Sequence, residues 1–472
     1  MPDKIVVGGD WRETDHVLDV TFPYDNSVVG SVYLANQQDM DDAVTAAQAG
    51  FNQTRQLPTH ERTRILEKLH DLMYVHFDEF IQLMILEGGK TRRVAVGEMT
   101  RALQTIKISA EEARRIEGNV FSIDWTPTGD NRQGFTKRVP IGIVLGITPF
   151  NYPINLACHK IGPAIASGNA IIIKPAEKTP LSSVLLSRLV LEAGYPPQAY
   201  SMLNAYGRDT EPLVTDPRIA MLSFTGSAEI GWMLKQKATR KKVILELGGN
   251  AGMIVHNDAD LKLAVAQAVT GGFTNAGQNC IAVQRIFVQD DVFEDFEEQF
   301  VTAVAGLRVG DPRQDTVDIG PLITQQDAER AERWIQSAIA EGATLRYGGK
   351  REGQFLDPTV LTDTSAEMRV NCEEIFAPVV TLSSYRTWDE ALACINDTQY
   401  GLQAGIFTRD MGRIMDAWDR IEVGGLQVNS ASTFRVDHMP YGGVKASGFG
   451  REGVPYTIEE MTDLRLMVIN TG

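Results

Sequence analysis

Apolar residues in the first part of the chain recur at Ile65/Leu66, Leu69, Leu72/Met73, Phe77, Phe80/Ile81 and Met84. That spacing lays one apolar stripe along a helix, and it predicts a single long amphipathic helix over about 60–87, stopped by Gly88-Gly89. A second helix is expected around Val96 to Ile116. Farther on the pattern changes. The stretch from Ile141 to Ile147 is unbroken and apolar, as in a strand buried on both faces of a parallel sheet. A helix over about 154–167, the strand Ala170 to Ile173, a helix over about 181–193, the strand Ala220 to Phe224, a helix from Ser227 and the strand Val243 to Glu246 follow. Strand and helix in alternation spell a sheet of βαβ units. Past residue 248 the alternation resumes: helix about 260–274, strand Gln284 to Val288, helices about 291–305 and 325–341, then strands near 378–385, 403–407 and 425–429. This predicts a second α/β domain. Between them, two short extended runs flank the turn cluster from Pro127 to Gly134, which reads as a protruding hairpin over 119–139. An isolated hairpin does not support itself, so it must pair with something, such as another subunit.

At 472 residues the chain exceeds what one core fills, in keeping with two domains. A net charge of −16 argues against nucleic acid and anionic membranes as partners, since both need a basic footprint. The four cysteines form no CxxC pair and no zinc pattern, so no metal site is expected. Reduced thiols, no basic apolar leader and no apolar run of spanning length make the cytoplasm the expected compartment.

The candidate chemistry centres on Cys280. It closes the polar, glycine-rich run Gly271 to Asn279, whereas a packing cysteine usually sits among apolar neighbours. A strand delivers Glu246, a candidate base, into Leu247-Gly248-Gly249. Asn151, held between Pro149 and Pro153, is a candidate oxyanion donor, although ordinary turn chemistry explains it as well. Lys174 and Glu177 follow a strand end, where open α/β sheets bind ligands, and could hold a ribose; a solvated surface pair explains the same residues. Gly226 and Ser227 open a helix whose N-terminus could receive a pyrophosphate or could simply be capped. Glu374 and Phe376 precede a strand, where a half-buried turn would account for them.

Together these residues converge on one family. Pro149-Phe150-Asn151, Lys174 to Glu177, Phe224 to Ser227, Glu246 to Gly249, Gly277 to Cys280 and Glu374 to Phe376, in that order and spacing, resemble the aldehyde dehydrogenase superfamily from about residue 20 to the C-terminus. The resemblance implies two Rossmann-like parallel-sheet domains and a β-hairpin oligomerisation arm. The NAD(P)-binding domain would span 1–118 and 140–247, the catalytic domain 248–440, and the arm 119–139 with 455–472. It implies Cys280 as nucleophile, Glu246 as general base and Asn151 as oxyanion donor. Lys174, Glu177, Ser227, Gly226, Glu374, Phe376 and Phe150 would bind the cofactor, with Lys160 matching a lysine linked to proton relay. A glutamate at position 246 implies release of a free acid. A carboxylate at position 177 disfavours a 2′-phosphate and points to NAD, with NADP retained as an option. Within the superfamily the chain is similar to the lactaldehyde and non-phosphorylating glyceraldehyde-3-phosphate dehydrogenase branch, with Arg101, Tyr152 and Arg435 as candidate substrate contacts. The phosphate users carry an arginine immediately before the nucleophile, and this chain has Asn279. The expected substrate is therefore a small hydroxylated or anionic aldehyde, lactaldehyde-like, with glyceraldehyde 3-phosphate as the alternative and a non-catalytic binding protein as the alternative of another class. His159 reads as a packing histidine. Self-association as a homodimer or homotetramer is expected.

Overall fold

The computed structural model describes residues 1–472. Two large sheets dominate it, each with its own apolar core. In the first, five strands run parallel in the order Tyr200–Met202, Ala170–Lys174, Ile143–Ile147, Ile219–Thr225, Lys242–Glu246. The chain starts in the middle, at Ile143–Ile147, builds outward to one side, then crosses back to Ile219–Thr225 on the other. That reversal opens a crevice at the carboxyl ends of two adjacent strands, the usual ligand seat of an open α/β sheet. Strands Ile143–Ile147 and Ala170–Lys174 are buried along their whole length, as continuous apolar runs in a doubly covered sheet must be.

The second sheet runs Thr344–Tyr347, Thr359–Thr362, Val379–Tyr385, Val283–Gln289, Ala251–Val255, Gln403–Phe407, Gly425–Val428, and every pair except the first is parallel. The chain passes from the carboxyl end of Lys242–Glu246 into the amino end of Ala251–Val255 through only four residues, Leu247 to Asn250. The carboxyl edge of one sheet is thereby brought to the amino edge of the other.

A third, three-stranded sheet stands apart. Val120–Ser122 and Arg132–Pro140 form the hairpin, and the C-terminal strand Thr462–Asn470 pairs with Arg132–Pro140 over its full length. The hairpin's support thus comes first from its own chain. The outer strand leaves Leu464, Leu466, Met467, Val468 and Ile469 exposed. No helix is long and apolar enough to cross a membrane.

Three features differ from the pattern reading. The single helix over 60–87 is two, Thr59–Val75 and Phe77–Gly88, broken at His76 (φ −93°, ψ 17°). Neither glycine nor proline marks the break, and the apolar stripe continues across it into one core, so periodicity passes over the kink. Strand Ala251–Val255, wholly buried at the centre of the second sheet, was hidden by the glycines before it. The N-terminal strand Ile5–Val7 pairs antiparallel on the edge strand Tyr200–Met202, a long-range pairing that local pattern does not encode.

Candidate active site

A cavity of about 630 Å³ lies between the two large sheets. The loop after Ile143–Ile147 supplies Phe150, Asn151 and Tyr152 to its wall. The turn after Ile219–Thr225 supplies Gly226 and Ser227, and the end of Lys242–Glu246 supplies Glu246. Cys280, Glu374 and Phe376 come from loops at the amino edge of the second sheet.

The loop bearing Cys280 is strained and tightly held. Helix Leu261–Phe273 ends, and three consecutive residues, Asn275, Ala276 and Gly277, take left-handed backbone at φ 56°, 54° and 69°. Only glycine adopts that region freely, so Ala276 in particular costs of order 1 kcal/mol or more, which the surroundings must overcome. They do so through side-chain amides. Asn151 Nδ2 and Asn275 Nδ2 donate to the Gln278 carbonyl at 3.1 and 3.2 Å, and Gln278 Oε1 accepts the Ile323 N–H at 2.9 Å. Asn151 therefore reaches the Cys280 loop with one N–H and retains its second. The Cys280 sulfur sits 3.3 Å from the Tyr441 hydroxyl and 3.8 Å from Asn279 Oδ1. Burial pushes its thiol pKa up to about 11, against the lowering effects of the Tyr441 hydrogen bond and Arg435.

Glu246 is 2% exposed, and neither carboxyl oxygen has a hydrogen-bond partner. Burial, and then the charge of Glu452, hold its pKa well above the ordinary carboxylate range. An unpartnered buried carboxyl is costly in a core and typical of a site that moves protons.

Behind these groups lies a cluster of paired charges. Lys160, fully buried, donates to Ser223 Oγ, Thr225 Oγ1 and Glu452 Oε1, each at 3.0 Å. Arg435 contacts Glu452 Oε2 at 3.3 Å and lies 3.6 Å over the centre of the Tyr441 ring. Burial would raise the Glu452 pKa, but Lys160, His159 and Arg435 overcome it and hold it at about 2. Asp437 accepts from Arg101 at 2.7 Å, His159 Nε2 at 2.9 Å and Asn155 Nδ2 at 3.2 Å. Despite burial, His159 and Arg101 bring its pKa below the ordinary range. Arg101 and Arg435 both line the cavity while bound to this cluster.

On the other side, Ser227 occupies the N-cap position of helix Ala228–Ala238, but its hydroxyl makes no capping bond and remains free. Glu374 accepts the Gly249 N–H at 3.0 Å and packs so closely against Gly248 that a side chain there would collide with it. Burial raises the Glu374 pKa to about 7. A half-buried carboxyl with one protein donor suits a ribose diol, and a free hydroxyl at a helix N-terminus suits a phosphate, so the residues present fit a nicotinamide dinucleotide. Phe376, at φ 50°, meets the Phe150 ring edge to face at 6.0 Å.

Of the residues singled out in the sequence, Asn151, Glu246, Cys280, Gly226, Ser227, Glu374, Phe376, Phe150, Arg101, Tyr152 and Arg435 all line the one cavity. Lys174 and Glu177 do not. They pair with each other at 3.2 Å, one strand farther along the sheet. Burial opposes ionisation of Glu177, yet Lys174 keeps its pKa below normal. Tyr441, Glu452 and Asp437 went unassigned in the sequence. Glu452 and Tyr441 sit in the glycine-rich run 439–453, which is similar to the lactaldehyde branch as a whole but singles out neither side chain.

Residues 11–467 match the model of the aldehyde dehydrogenase family. The chain is 43% identical over 467 residues to a 3-sulfolactaldehyde dehydrogenase of Priestia megaterium, covering 99% of this chain and 98% of the relative. Among solved structures, it is similar to aldehyde dehydrogenase 21 of Physcomitrella patens in complex with the reaction product succinate, with a TM-score of 0.98, 38% identity and coverage of 100% and 99% of the two chains. It is also similar to the glyceraldehyde-3-phosphate dehydrogenase GapN of Methanocaldococcus jannaschii complexed with NADP, with a TM-score of 0.93, 36% identity and coverage of 97% and 99%.

Proposed function

The chain belongs to the aldehyde dehydrogenase family, and from that premise we propose that it oxidises a small, anionic or hydroxylated aldehyde to the free carboxylic acid, with Cys280 as nucleophile. The observation that carries this is the convergence of Cys280, Asn151 and Glu246 on one cavity that also presents Arg101 and Arg435. The thiolate of Cys280 adds to the aldehyde carbon, forming the C–S bond and an alkoxide. That oxygen takes the free N–H of Asn151 Nδ2 and the backbone N–H of Cys280, donors whose loss typically costs about 10²–10³ in rate. The dinucleotide, held by Ser227 and Glu374 with Lys174 and Glu177 at its far ribose, supplies the hydride acceptor when bound. The acyl group left on Cys280 is a thioester. Glu246 takes a proton from water, the hydroxide oxygen attacks the acyl carbon, and the sulfur leaves with the acid released. Burial makes that carboxylate a stronger base than an exposed one.

The relatives act on or are complexed with sulfonate, carboxylate and phosphate compounds, and the two arginines at the cavity give a basis for an anionic substrate here. Asn279 in place of an arginine beside Cys280 favours the smaller anions over the phosphate. Glu177, kept below its ordinary pKa by Lys174, would repel a 2′-phosphate on the ribose that this pair is proposed to hold, which favours NAD over NADP. Following NADH at 340 nm with sulfolactaldehyde, lactaldehyde, succinate semialdehyde and glyceraldehyde 3-phosphate, each with NAD+ and NADP+, tests the proposal. Reduction that vanishes in Cys280→Ala supports it. Flat traces for the wild type with every pair end it. We place self-association on the three-stranded sheet, whose exposed strand and nearby Val120, Phe121 and Trp125 leave an apolar face, with 455–472 and 119–139 as the arm. The domain division at 247–248 and a cytoplasmic location are part of the same proposal.

A further inference from the structure

We propose that Tyr441 is a second catalytic residue: its hydroxyl donates to the Cys280 sulfur and stabilises the thiolate, with the Arg435 guanidinium on its ring strengthening that donation. This rests on the reading of Cys280 as the nucleophile. The Tyr441 oxygen lies 3.3 Å from Sγ, within range of a hydrogen bond to sulfur, and is its closest polar side-chain partner. No histidine performs the role. His159 is committed to Asp437, and the other neighbours whose charge bears on the sulfur are Arg435, Glu374 and Glu246, with Tyr152 close enough to feel the thiolate in turn. Glu246 and Glu374 oppose a negative sulfur. Desolvation of the half-buried sulfur opposes it as well. Something must act in the other direction for the thiolate to form near neutrality, and the phenol is the one donor in contact.

Arg435 gives the arrangement its second element. Its guanidinium carbon lies 3.6 Å from the ring centre of Tyr441. A cation on a π face draws electron density from the ring. It makes the O–H a better donor and disfavours its acting as an acceptor from the thiol. Arg435 is itself fixed by Glu452 at 3.3 Å, so the cation is placed by the buried cluster rather than by solvent. No bond is made or broken by Tyr441. On ionisation of Cys280 the thiol proton leaves to solvent, and the Tyr441 O–H turns to the sulfur lone pair.

The test is the pH dependence of Cys280 alkylation by iodoacetamide in the full-length protein, read at that cysteine by peptide mass spectrometry so that Cys158, Cys372 and Cys394 do not contribute. Tyr441→Phe keeps the ring and its stack on Arg435 but removes the donor. A hydrogen bond to a charged group is worth enough to raise the alkylation midpoint by about one to two pH units in that variant. Incorporating 3-fluorotyrosine at position 441, which makes the phenol a stronger donor with almost no change of shape, is expected to lower the midpoint, and it decides the matter if the phenylalanine variant does not fold. A midpoint that stays at the wild-type value in either protein overturns the proposal. Failure of the underlying reading looks different: Cys280→Ala would then still reduce NAD+, whatever the midpoints do.

Discussion

Two regions meet at the cavity and treat charge in opposite ways. Behind it, Lys160, Glu452, Arg435, His159, Asp437 and Arg101 are paired within hydrogen-bonding or ion-pair distance. In front, Glu246 is just as buried and has no partner for either oxygen, while the Cys280 sulfur touches only neutral groups, the Tyr441 hydroxyl and Asn279 Oδ1. The carboxylic acids show the consequence. Glu452 and Glu246 are both deeply buried, yet one is held ionised down to a pKa of about 2 and the other is pushed well above the ordinary range. Burial raises both, and the difference comes from the cations that only Glu452 contacts. Satisfied charges fix geometry, and unsatisfied ones are available for reaction.

The largest break in that contrast is Glu246→Gln. It keeps the shape and removes the proton acceptor, so turnover should fall by about 10²–10⁴. Cys280 should still form the thioester, giving a burst of NADH equal to the enzyme concentration and then almost nothing. A steady rate close to that of the wild type would show that the unpartnered carboxyl is only a packing defect.

Glu452→Gln attacks the paired side. It leaves the Lys160 cation without its counter-ion, for which about 3 kcal/mol of stability loss is expected by chemical denaturation near neutral pH. The sign with pH follows from the depressed pKa. The stability that Glu452 contributes is present above its unfolded value near 4.5 and is lost as pH falls through about 2. The wild type should therefore lose stability over that acid range more steeply than the variant. Glu246, relieved of its negative neighbour, should titrate at lower pH.

Arg101→Met tests the border between the regions, since Arg101 faces the cavity and is anchored on Asp437. The KM for an anionic aldehyde should rise about tenfold, the weight of one charge-assisted hydrogen bond, with kcat little changed. The KM for a neutral aldehyde such as acetaldehyde should stay put. Equal rises for both would make Arg101 a structural residue.

Much of this was legible along the chain. The apolar runs at 143–147 and 170–173 announce strands covered on both faces, and the polar, glycine-rich run ending in Cys280 sets that thiol apart from a packing cysteine, because solvent exclusion and glycine flexibility act on neighbours in sequence. The kink at His76 was not legible, since a one-residue break leaves the apolar stripe in phase. Nor was the occupancy of Arg101. The sequence offered a cation on a helix, and its partner Asp437 lies 336 residues away.

The amino-acid order by itself determined the alternation of strands and helices, the two sheets, and which residues could do chemistry, since each follows from local periodicity or from side-chain type. Tertiary structure alone decided which charges are neutralised and which are left unpaired, which phenol touches the sulfur, and that Lys174 and Glu177 stand outside the cavity. Those outcomes depend on desolvation and on distances of a few ångströms between segments hundreds of residues apart, and no local pattern carries that information.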